Sequence, residues 1–70
     1  MHAWNLGLEL GTKAANDPNE DWSLGWLGFD DPAIDRLESA GIAYGSFRWM
    51  LADWAAKRAF NRAVRAIRAR

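Results

Sequence analysis

Small residues recur at every fourth position near the start of the chain, where Ala3, Gly7, Gly11 and Ala15 form one i±4 row flanked by Trp4 and Leu8 and by Leu6 and Leu10. A helix over 3–15 would carry this row as a smooth ridge that a second helix can approach closely. Each glycine costs a helix interior about 1 kcal/mol relative to alanine, so the segment needs such a partner. Asn16-Asp17-Pro18-Asn19-Glu20 reads as a turn, because proline cannot continue the helix and Asn and Asp bond the local backbone. Over 21–29 the pattern predicts a short helix with Trp22 and Trp26 one turn apart, weakened by Gly25 and Gly28. Asp30-Asp31-Pro32 is a stronger start signal, an aspartate N-cap followed by proline in the first turn. It predicts a helix over 32–40, with Ile34 and Leu37 inward and Gly41 at its C-terminal cap.

The longest element runs over 46–70, without glycine or proline and rich in alanine and arginine. At ~1.5 Å per residue it would be roughly 37 Å long and span the domain. Spaced at about 100°, Phe47, Met50, Leu51 and Trp54 share one side of its first half, and Arg58, Arg62, Arg65 and Arg68 continue that side. Phe60, Val64 and Ile67 face the other way with Trp49. The pattern therefore places the domain around the first half and turns an arginine row outward on the second. Strand alternation is absent. The reading is an all-α fold, a single helical domain over 1–70 with three or four helices.

Seventy residues lie near the size at which one apolar core barely offsets chain entropy. Without cysteine, neither disulfides nor a thiolate zinc site can add support. Five tryptophans, each able to bury ~150–250 Å², can. Trp4, Trp22, Trp26, Trp49 and Trp54 are all assigned to the core, although five indoles exceed what a small core hides easily. Trp22 and Trp26 are therefore also candidate anchors for a partner.

Charge is distributed unevenly along the chain. Residues 1–43 carry two bases and eight acids, whereas 44–70 carry seven bases and Asp53 alone among acids. A net charge of zero thus hides halves of −6 and +6, able to steer charged partners. No stretch is long and apolar enough for a membrane span, and the start lacks the pattern of a secretory signal, so a soluble cytoplasmic chain without a membrane partner is expected.

Catalytic chemistry finds little foothold. His2 is the sole histidine and lies at the terminus, where fraying is expected; with no cysteine, the usual nucleophile and base pairs are missing. No enzyme activity and no cofactor are expected. Asp30, Asp31, Asp35 and Glu38 are explained better by helix capping than by a metal. Asp17, Asn19 and Asp21 resemble a calcium loop only superficially, since Trp22 and Gly28 stand where such a loop needs glycine and glutamate. The sharpest functional feature is the row Arg58, Arg62, Arg65 and Arg68, whose guanidinium groups can grip successive carboxylates or phosphates bidentately.

The spacing Ala3-x-x-x-Gly7-x-x-x-Gly11, followed by Trp22-x-x-Gly25-Trp26, resembles the ribosome modulation factor family of small bacterial proteins, over residues 3 to about 28. The resemblance implies a two-helix unit held by Trp22 and Trp26, from a bacterium or its phage. That family is strongly basic and contacts ribosomal RNA, whereas the matching half here is acidic. An RNA-directed role in this chain would rest on Arg58, Arg62, Arg65 and Arg68. The expected function is a non-catalytic protein that docks on a larger protein or nucleoprotein complex and modulates it, as small phage inhibitors do. Direct binding of RNA or DNA phosphate and self-assembly into a homo-oligomer are the alternatives.

Overall fold

In the computed structural model, which describes residues 2–19 and 21–69, the glycine ridge meets its partner helix backbone to backbone. Helix α1 spans Ala3–Ala15, α2 spans Asp31–Ser39 and α3 spans Phe47–Arg68; a single 3-10 turn covers Trp22–Leu24. The described residues contain no strand, so the fold is all-α. Gly7 lies against Ala52 and Ala55 of α3, and Gly11 against Ala56. Because both numbers rise together, α1 and α3 run parallel.

This packing explains which residues of α3 are buried. Ala52, Ala55 and Ala56 have no exposed surface, and Ala59 is nearly as covered. Helices that touch at glycine leave room opposite only for methyl groups. Three large residues of α3's first half are therefore turned elsewhere: Phe47 is 66% exposed, Trp54 52% and Met50 39%. The expectation that the domain surrounds the side carrying Phe47, Met50, Leu51 and Trp54 is thus overturned at Phe47, Met50 and Trp54, while Leu51 is half-buried, and Trp54 is not a core residue. The buried face of α3 is instead continuous, from Trp49 and the alanines to the buried Phe60 and Val64.

Between α1 and α3 the chain returns along α3 from its C-terminal end. Trp22 and Trp26 pack at Ala15, Phe60 and Val64, and Phe29 lies further back against Trp49. The helix expected over 21–29 shrinks to the 3-10 turn, because Gly25 and Gly28 adopt φ of 72° and 99°, outside the helical range. An extended chain lets both indoles reach inward. The Trp22 indole N–H donates to the Ala15 carbonyl at 3.1 Å, satisfying one of the carbonyls left free at the end of α1. The Trp26 indole N–H donates to Asp53 Oδ1 at 2.9 Å. The rings of Phe60, Trp26, Phe29, Trp49 and Tyr44 follow one another with centroids 5.2 to 5.8 Å apart.

The capping signals are realised. Asp30 accepts from Ala33 N–H and Ser46 from Trp49 N–H, opening α2 and α3. His2, expected to fray, is the N-cap of α1, its Nδ1 accepting from Trp4 N–H at 3.3 Å. Asp21 accepts from the hydroxyl and backbone N–H of Ser23, which hold its carboxyl below the usual range. Helix α2 ends in a Schellman motif: Ile42 N–H reaches Leu37 O, Gly41 N–H reaches Glu38 O, and Gly41 has φ of 79°. Leu37 and Ile42 then pack together with Leu6, Leu10 and Ala33, so the cap also closes the core beside α1. The C-terminal limit expected for the long helix, Arg70, lies outside the described residues. At ~1.5 Å per residue α3 is about 33 Å long, close to the 36 Å long axis of the molecule.

Candidate docking face on helix α3

One side of α3 is left uncovered over its whole length. Its N-terminal part carries Phe47, Met50 and Trp54, with exposed Tyr44 just before the helix. Its C-terminal part carries Arg58, Arg62 and Arg65, all exposed. The two parts lie on one stripe because successive members are separated by three or four residues, near one helical turn. The apolar and cationic halves of the face are thus fixed by a single rigid element.

No described acid pairs with Arg58, Arg62 or Arg65. Among the described residues the one ion pair joins Arg36 to Glu9 at 2.7 Å, between α2 and α1, with both side chains about half exposed. Asp53, the one acid of the basic half, accepts the Trp26 indole instead. Asp30, Asp31, Asp35 and Glu38 are exposed and unpaired with Arg58, Arg62 or Arg65. Arg68 differs from its three neighbours in the row. Its guanidinium carbon lies 6.0 Å above the Trp22 ring, a cation–π arrangement that turns it back toward the return segment.

The two tryptophans singled out as partner anchors are likewise engaged within the chain. Trp22 and Trp26 are half-buried, both indole N–H groups have internal acceptors, and Trp26 packs on Phe29 and Phe60. Trp54, assigned from the sequence to the core, is the tryptophan that solvent reaches most.

The structure also brings together residues that no local pattern joins. On the side of the helix pair opposite the return segment, α1 and α3 form an open groove of about 820 Å³. Trp4, Leu8 and Thr12 line it from α1, and Arg58, Arg62 and Arg65 from α3. Ala59, Ala63 and Ala66 form the floor, and no acid among the described residues contributes. Fifty-four positions separate Trp4 from Arg58, yet the parallel pairing places them on one wall and the other. The flanking positions of Trp4 and Leu8 beside the glycine row were the available signal, since a ridge buried on a partner leaves its flanks at the groove edge.

Among the described residues no group of three or more His, Cys, Asp or Glu is arranged to hold a metal ion, and no helix is long and apolar enough to cross a membrane. Against protein-family models, curated proteins and solved structures, the chain gives no match.

Proposed function

We propose that this is a small non-catalytic binding protein that docks on a larger protein or nucleoprotein complex through the outer face of α3 and modulates it. The observation that carries the reading is the exposure of Arg58, Arg62 and Arg65, without carboxylate partners among the described residues, on the same stripe as Phe47, Met50 and Trp54. A solvated helix end needs cations at its last turn to complement the dipole. It does not need a tryptophan, a phenylalanine and a methionine displayed beside them. Aromatic residues, methionine and arginine are the types enriched where protein partners meet, and they are placed here on one rigid helix.

Affinity capture from a bacterial lysate tests the proposal, with the chain compared against its Arg58→Glu/Arg62→Glu/Arg65→Glu variant after circular dichroism shows equal helicity. A target recovered by the parent chain and lost by the variant is the expected result. Recovery of the same proteins by both would remove the arginine face from the docking role. Direct RNA binding is favoured by the near one-turn spacing of the arginines, and a labelled RNA shifted by the purified chain alone at low salt would establish it as the better reading.

A further inference from the structure

We infer that the groove between α1 and α3 receives an acidic amphipathic helix of the partner, with its apolar side on Trp4 and Leu8 and its carboxylates on Arg58, Arg62 and Arg65. The inference rests on the proposed docking role and specifies what occupies one part of that surface. Two parallel helices in backbone contact leave a shallow furrow along their joint, and a third helix is the element whose ridges match such a furrow. The floor is methyl groups from Ala59, Ala63 and Ala66, with Trp4 and Leu8, both half-buried, forming the opposite wall. That lining calls for apolar side chains. The rim calls for anions, since three guanidinium groups and, among the described residues, no carboxylate line the groove. An amphipathic helix with acids along one edge meets both demands at once, and arginine forks suit carboxylates bidentately.

Two other occupants fit less well. A single-stranded nucleic acid would need successive rings for its bases, and Trp4 is the only aromatic residue lining the groove. The remaining exposed rings, Tyr44, Phe47 and Trp54, lie toward the other end of α3. There Asp53 lines the same surface as Tyr44 and Phe47, a placement unfavourable to a phosphate backbone. A second copy of the chain offers acids on α2, but Ala33 and Leu37, the apolar side of that helix, are already buried under α1. Its α2 could supply carboxylates only without the apolar side that the floor requires.

Selection from a random library of displayed peptides of about 16 residues, against the immobilised full chain, asks the question without presupposing the partner. Enriched sequences should place apolar residues three and four apart and carry net negative charge. A synthetic peptide of the enriched sequence should lose about tenfold or more in affinity against Arg58→Glu/Arg62→Glu, and its affinity should fall with added salt. Failure to enrich any sequence overturns the inference, as does enrichment of neutral or basic peptides. Binding that is indifferent to the two charge reversals, or tighter binding of a single-stranded RNA of about 20 nucleotides, overturns it as well. Should lysate capture still depend on the arginines in any of those cases, the docking role stands and only the identity of the occupant falls.

Discussion

Gly7 and Gly11 owe their place to the carbonyl groups facing them. A methyl group at Gly7 would overlap the Ala52 carbonyl oxygen and come within 2.8 Å of the Ala55 methyl; at Gly11 it would come within 2.7 Å of the Ala56 Cα. Alanine would gain up to about 1 kcal/mol of helix propensity at either site. Backbone on a packed helix cannot move aside as a flexible side chain can, so overpacking wins. Gly7→Ala and Gly11→Ala are each expected to lose about 2 kcal/mol in urea denaturation, and a gain at either site would contradict backbone contact between the helices. Trp26 makes the second residue-scale case. Trp26→Phe keeps an aromatic ring near Phe29 and Phe60 but removes the N–H that Asp53 accepts, and a loss of about 1–2 kcal/mol is expected in the same measurement. Pairing it with Asp53→Asn in a double-mutant cycle should recover a coupling between the two positions.

Helix ends were legible because their chemistry is local. Asp30 with Pro32 and Gly41 each act within a few residues, and both mark boundaries in the structure. Gly41→Ala would force a β-carbon into the left-handed conformation at φ 79°, and about 1 kcal/mol of stability is expected to be lost on thermal or chemical unfolding. An unchanged midpoint would mean the cap contributes nothing to α2. The inward face of α3 was less legible, for a physical reason. Large apolar residues dominate the periodicity of α3 and point to Phe47, Met50, Leu51 and Trp54 as the buried side. The glycine row of α1 inverts that weighting, since a helix in close contact accepts alanine and excludes bulk. Reading the two elements together, with Gly7 and Gly11 on one and Ala52, Ala55, Ala56 and Ala59 on the other, would have assigned both faces of α3 correctly. The segment 21–29 failed for a related reason. The four-residue spacing of Trp22 and Trp26 fits a helix, but the two glycines free the chain to point both indoles inward from an extended path.

For the molecule as a whole, a net charge of zero is divided between an acidic half and a basic helix, and no ion pair joins the two among the described residues. The one ion pair among those residues, Glu9 with Arg36, lies within the acidic half. Folding rests on the alanine and glycine seam, the aromatic series from Phe60 to Tyr44 and the cluster around Leu37 and Ile42. Arg58, Arg62 and Arg65 contribute to none of these. Side chains that the fold does not use are free to serve a partner. The direct test is the unfolding free energy of the Arg58→Gln/Arg62→Gln/Arg65→Gln variant in urea, alongside the parent chain at the same salt concentration. A difference within about 0.5 kcal/mol is expected, as for exposed surface charges. A loss of about 2 kcal/mol or more would show that the three guanidinium groups hold the molecule together, and would contradict the assignment of this face to docking.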